Sequence, residues 1–159
     1  MRSGRGGSEG EKNEMVRKEE KQGERRPMRE PEYVLVSLCI CGVPCRYHGK
    51  TTIMGHHIGR PGLIARLKEK YSILPLCPEQ MGGLPTPRPA CKVINNHVIN
   101  QEGLDVTNEY MKGANEVYRL CRLFNVKKAY LLKNSPACGK GYGVLATLLE
   151  KEHINVIAV

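Results

Sequence analysis

Tyr33-Val-Leu-Val-Ser-Leu-Cys-Ile40 is a run of apolar and β-branched residues closed by Gly42-Val-Pro44. It does not alternate between apolar and polar positions, so it reads as a strand buried on both faces, as the strands of a parallel sheet are. Ser72-Ile-Leu-Pro-Leu-Cys77 is a second, shorter strand whose length Pro75 limits. Lys128-Ala-Tyr-Leu-Leu-Lys133 is a third, and Ile154-Asn-Val-Ile-Ala-Val159 is the last. Helical stripes lie between them. Residues 61–71 place Leu63, Ile64, Leu67 and Tyr71 on one face, with Pro61 suited to the first turn. Val106, Tyr110, Ala114, Val117, Cys121 and Phe124 recur every three or four residues and predict a long amphipathic helix. Residues 143–153 turn Leu145, Leu148 and Leu149 inward. Within residues 91–101, Asn95-Asn96 separates two β-branched pairs, the pattern of a hairpin with a tight turn. Strands alternating with helices predict an α/β fold: a single domain with a mostly parallel sheet flanked by helices, plus one small β-hairpin. In such sheets ligands bind beyond the carboxyl ends of the strands.

The chain has 159 residues, enough for one domain of ordinary size. Residues 1–31 hold only Met1, Met15, Val16 and Met28 as apolar side chains, too few to offset the entropy of ordering. They are expected to form a disordered tail ahead of a domain over 32–159, with Met15 and Met28 as candidate translation starts. The formal net charge is +9, yet the tail contributes little of it, and the remaining basic residues are scattered without interleaved aromatics. That pattern describes a solvated surface better than a groove for phosphates, so nucleic acid is not favoured as a partner. No stretch approaches the roughly 18 apolar residues of a membrane span. The N-terminus carries charges where a signal peptide is apolar, and a cytoplasmic protein is expected. Nothing indicates the oligomeric state.

Seven cysteines in a reducing compartment point to metal or thiol chemistry more than to disulfides. Cys39 and Cys41 fall at the end of the first strand, Cys45 in the loop after it, Cys77 at the end of the second strand and Cys138 beyond the third. A parallel sheet carries all of them to one edge. Cys121 continues a helical stripe and reads as core. Cys91, at the start of the hairpin, also reads as structural. The spacing of Cys39, Cys41 and Cys45 matches neither a zinc ribbon nor a ferredoxin run. On the residues alone, zinc and an iron–sulfur cluster both remain open.

Four stretches carry a resemblance. Val36-Ser-Leu-Cys-Ile-Cys-Gly-Val-Pro-Cys-Arg-Tyr-His-Gly49 is similar to the motif V-S-x-C-L-L-G-x-x-C-R-Y-D-G. Leu76-Cys-Pro-Glu-Gln-Met-Gly-Gly-Leu-Pro-Thr-Pro-Arg-Pro89 contains C-P-E-x-x-G-G-L-P-T-P-R-P in full. Gly103-Leu-Asp-Val-Thr107 and Ser135-Pro-Ala-Cys-Gly139 resemble the third and fourth motifs of the same family, the thiouracil desulfidases. The likeness covers essentially all of 32–159. It implies a [4Fe-4S] cluster held by Cys39, Cys77 and Cys138, with the fourth iron open to the sulfur of a thiocarbonyl substrate. It also implies Glu79 and Ser135 as acid/base residues. Cys45 is not counted as a ligand. The sequence departs from the family pattern at Cys41, His48 and Cys91, and in a short segment after Cys138. These departures bear on the substrate more than on the cluster.

The expected activity is therefore a non-redox desulfuration of a small thiolated pyrimidine, C=S becoming C=O. Glu79 would activate water and Ser135 would relay a proton or donate a hydrogen bond. Arg46, Tyr47, Thr86 and Arg88 are the expected substrate contacts, Arg88 alternatively tying its own loop to a backbone carbonyl. Two other readings stand beside this one: a structural zinc or cluster-binding module, in which Glu79 and Ser135 would be dispensable, and an enzyme acting on thiolated bases within tRNA.

Overall fold

The computed structural model describes residues 30–159, so nearly all of the segment expected to be disordered, residues 1–31, lies outside the described range. The core of the domain is a four-stranded parallel sheet of β1 (Tyr33–Ser37), β4 (Ser72–Leu76), β7 (Lys128–Leu131) and β8 (Asn155–Ala158), in the spatial order β4-β1-β7-β8. β1 is central, and Val34, Leu35 and Val36 are all buried. Its side chains alternate between two cores. Leu35 packs with the face covered by α3 (Thr107–Leu123) and α4 (Val144–Lys151). Val34 and Val36 pack on the other side with Leu63, Ile64 and Leu67 of α1 (Pro61–Lys68). Each fully buried aliphatic side chain of this kind contributes about 1.5–3 kcal/mol. β4 lies at an edge, where Pro75 is tolerated because its missing N–H can face away from the ladder.

β5 (Cys91–Ile94) and β6 (His97–Asn100) form the expected hairpin. Asn95 and Asn96 both have positive φ, 50° and 67°, the backbone that a two-residue turn demands and that Asn accepts. Three elements differ from the sequence reading. β1 ends at Ser37 and not at Ile40; the chain then tightens into a 3-10 turn over Leu38–Cys41, closed by Gly42 at φ 90°. The physical reason is local: the Ser37 hydroxyl oxygen accepts the Leu132 N–H at 3.0 Å, which replaces the next ladder bond between β1 and β7. A one-turn helix, α2 (Pro78–Met81), follows β4 directly. Finally, β2 (Thr52–Ile53) and β3 (His56–His57) make a minimal antiparallel pair around Met54 and Gly55. Among the described residues no helix is long and apolar enough to cross a membrane.

Two glycines set where α2 sits. A Cβ on Gly113 of α3 would lie 1.7 Å from the Pro78 carbonyl oxygen, and one on Gly82 would lie 2.0 Å from the Glu109 carbonyl oxygen. The backbones of α2 and α3 are therefore in direct contact. This contact holds Glu79, on α2, above the carboxyl ends of the strands.

Candidate active site

Beyond the carboxyl ends of β1, β4 and β7 lies a cavity of about 270 Å³, and Cys39, Cys45, Cys77 and Cys138 all line it. Each thiol arrives by a different route. Cys39 comes from the 3-10 turn after β1, and Cys77 is the residue between β4 and α2. Cys138 lies in the turn after β7, where the Gly139 N–H returns to the Ser135 carbonyl at 2.8 Å. Cys45 comes from the loop after the 3-10 turn and is fully buried. Cys41 is the correction to the expected convergence. Two residues beyond Cys39 on a tight turn, it is exposed and faces a separate hollow with Ile40, His57, Arg60 and Lys68.

The thiols form a connected set. Cys45 is within hydrogen-bonding reach of Cys39 and Cys77; the bond with Cys39 contributes most to pushing its ionisation up to about 12. Cys77 is raised as well, first by Cys45 and then by burial. Burial pushes Cys138 up to about 12, against hydrogen bonds from Ser37 and Ser135 that pull it back. Those two serines share a geometry. The Ser37 oxygen accepts the Leu132 N–H, while the Ser135 oxygen accepts the N–H groups of Ala137 at 3.3 Å and Cys138 at 3.2 Å. Each oxygen is thereby committed as an acceptor, so each hydroxyl proton remains available to donate.

Glu79 and Arg88 form a partly buried ion pair on the cavity wall, Arg88 enclosed and Glu79 reaching the surface of the cavity. Arg88 Nε donates to Glu79 Oε2 at 2.6 Å, and Arg88 Nη2 donates to the same oxygen. The rest of the guanidinium is also engaged: Nη1 donates to the Pro85 carbonyl at 3.0 Å and to Thr86 Oγ1 at 3.1 Å, and Nη2 donates to the Cys45 carbonyl at 3.0 Å. All five N–H donors of Arg88 are matched, which leaves none for a substrate carbonyl in this arrangement. Thr86 does not line the cavity; it stands behind Arg88 and accepts from Gln80 Nε2 at 3.0 Å as well. Glu79 Oε1 has no hydrogen-bond partner among the described residues, and the carboxylate lines the cavity.

Of the remaining expected contacts, Arg46 and Tyr47 both line the cavity, Tyr47 at its exposed rim. Another part of the lining is not legible in the sequence pattern. Tyr110 sits in the apolar stripe of α3 and Cys91 opens the hairpin, positions that read as structural in the sequence, yet both reach the cavity together with Ala90. A stripe at helical spacing conceals such a residue, because only the tip of its side chain leaves the core.

Residues 34–159 match the family described as 2-thiouracil desulfurase. The uncharacterized protein YbbK of Bacillus subtilis (strain 168) is 30% identical over 149 residues, spanning 79% of this chain and 94% of its own length. Among solved structures, the [4Fe-4S]-dependent thiouracil desulfidase TudS superposes with a TM-score of 0.69 at 33% identity, over 80% of this chain and 90% of that one. The family match spans both cores of the sheet and every thiol of the cavity, and on that footing the chain belongs to the 2-thiouracil desulfurase family.

Proposed function

We propose that this protein is a [4Fe-4S]-dependent desulfidase that converts the thiocarbonyl of a small thiopyrimidine, such as thiouracil, into a carbonyl and releases sulfide. The observation that carries this reading is the meeting of Cys39, Cys77 and Cys138, from three strand ends, with Glu79 and Ser135 around one cavity. The donor set fits the cluster. It is made of soft thiols without histidine, and the one carboxylate present is tied to Arg88. Cys39, Cys77 and Cys138 would hold it, with Cys45 as an unligated neighbour. When bound, such a cluster supplies a thiophilic Lewis acid that polarises the C=S bond.

The remaining chemistry belongs to side chains. Water adds to the thiocarbonyl carbon, the C–S bond breaks, and two protons must be moved so that C=O and H₂S result. Glu79, oriented through Oε2 by Arg88, presents Oε1 to take a proton from the attacking water. Ser135, whose oxygen already accepts two N–H groups, donates its proton toward the departing sulfur or the ring. Arg46 and Tyr47 flank the substrate at the rim, and Thr86 acts through Arg88 as a positioning residue. The cavity of about 270 Å³ would have to hold the cluster as well as the substrate, and it is already smaller than the roughly 300–1,000 Å³ of sites for drug-sized ligands, so the substrate is a single-ring base.

The test is anaerobic reconstitution followed by sulfide release from 2-thiouracil. Wild type should turn over. Glu79→Gln should retain its iron and lose about 10²–10⁴-fold in kcat, as for a missing general base. Absence of sulfide release by reconstituted wild type from any free thiopyrimidine would overturn the reading.

A further inference from the structure

With every donor of Arg88 engaged, that residue does not read the oxygen of a bound ring, and on the wall by Glu79 the task falls to another group. Tyr110 is placed to do so. It lies in the first turn of α3, its ring in the core with Val98 and Ala114, and the residue is 2% exposed. Its side chain nevertheless reaches the cavity wall beside Glu79, Ala90 and Cys91. Among the described residues no nitrogen or oxygen takes its hydroxyl proton. The partner within reach is the Cys91 sulfur, whose own S–H donates to the Pro89 carbonyl at 3.5 Å. Sulfur is a weak acceptor. A buried phenol with no nitrogen or oxygen partner and a thiol for a neighbour therefore gains by meeting a ligand oxygen. Burial, followed by the charge of Glu79, raises the ionisation of Tyr110 well above its ordinary value, so the proton stays on the oxygen.

We propose that Tyr110 donates a hydrogen bond to the ring carbonyl that a thiopyrimidine retains after its sulfur is accounted for, and so selects substrates bearing an acceptor on the edge facing α3. The inference rests on the desulfidase reading and names the feature of the substrate which that reading leaves open. Thiouracil keeps one carbonyl and meets the requirement. A pyrimidine-2-thione without a second exocyclic oxygen does not, and it should be handled poorly although its C=S group is the same. Cys91 contributes by being small and a poor competitor for the phenol proton.

Equilibrium binding of the sulfur-free rings uracil and pyrimidin-2-one to the reconstituted protein tests this without turnover. Tyr110→Phe removes one oxygen and keeps the ring that fills the core; its melting temperature and iron content should match wild type. Uracil should bind this variant about tenfold more weakly, the effect of one buried hydrogen bond. Pyrimidin-2-one should bind both proteins alike, and Cys91→Ala should bind uracil at least as tightly as wild type. Equal uracil affinity of wild type and Tyr110→Phe would overturn the role of Tyr110 while leaving the desulfidase reading in place. Failure of wild type to bind uracil or 2-thiouracil at all would remove the substrate class, and this inference with it. As a second measurement, 19F resonances of protein carrying 3-fluorotyrosine should show one buried ring shifting on uracil addition; a spectrum in which only exposed rings move would also count against it.

Discussion

Asp105 shows how a motif residue near the site acts through structure. Its Oδ1 accepts both the backbone N–H of Thr107, at 2.9 Å, and the Thr107 hydroxyl, while Oδ2 meets His97 Nδ1 at 2.8 Å. Thr107 Oγ1 in turn accepts the Val98 N–H at 2.9 Å, so the start of α3, and with it Tyr110, is tied to the hairpin. The Thr107 hydrogen bonds hold the Asp105 carboxyl down at about 2, below its ordinary value of about 3.9. A carboxylate depressed in the fold stabilises it above the unfolded value and loses that contribution as pH falls through the folded one. Urea midpoints of wild type should therefore drop between about pH 4 and pH 2 more steeply than those of Asp105→Asn; parallel curves would show that the bond does not contribute. Such residue roles are only partly legible in sequence. Arg88 was recognisable as a residue of interest between prolines, but whether its donors faced a ligand or the protein depended on Glu79, Pro85, Thr86 and Cys45 arriving together. Tyr110 was hidden for the opposite reason, since its spacing is that of a core residue and most of it is one.

Elements with a period were legible, and those too short to have one were not. α3 announces itself over five turns, and the hairpin by its paired asparagines. The 3-10 turn over Leu38–Cys41 continues the apolar run of β1 without a change in composition, so it reads as more strand. α2 is a single turn and offers no repeat to detect. Yet α2 carries Glu79, and its placement makes a sharp prediction. An alanine within a helix is normally about 1 kcal/mol better than glycine. At Gly113 the sign reverses, because the new Cβ would lie 1.7 Å from the Pro78 oxygen and 2.9 Å from the Gly82 nitrogen, backbone atoms that cannot rotate away. Gly113→Ala should destabilise by about 1–3 kcal/mol, as overpacking does, and should lower sulfide release by lifting Glu79. Gly62→Ala on α1, where the new Cβ would meet only the Arg66 side chain, its Nη1 at 4.0 Å, is the control and should leave thermal melting unchanged or slightly raised.

Across the whole molecule, the parallel sheet is what turns residues remote in sequence into one site. Cys39, Cys77 and Cys138 follow three different strands, and the cavity they border exists only when β4, β1 and β7 are aligned. That convergence was readable from the alternation of strands and helices before any geometry was known, whereas the diversion of Cys41 to another face was not, because it depends on the tightness of one turn. With these three thiols as the proposed ligands, cluster loading and folding would form a single linked equilibrium: a group that binds the folded chain and not the unfolded one stabilises by about 4 kcal/mol at a thousandfold excess over its Kd. For a domain of this size that corresponds to a rise in Tm on the order of 10 °C. Anaerobic melting of wild type before and after reconstitution should show this gain. Cys138→Ser should melt close to wild type without iron, since Ser37 and Ser135 stand within hydrogen-bonding reach of the hydroxyl that replaces the thiol, and should lose most of the gain on loading. Cys121→Ser, whose sulfur lies in the core of α3 away from the cavity, should show the reverse: a lower Tm without iron, from a hydroxyl buried among apolar side chains, and an undiminished gain with it. Equal gains for wild type and Cys138→Ser would remove Cys138 from the set of ligands and leave Cys45, already buried beside Cys39 and Cys77, as the thiol to test in its place.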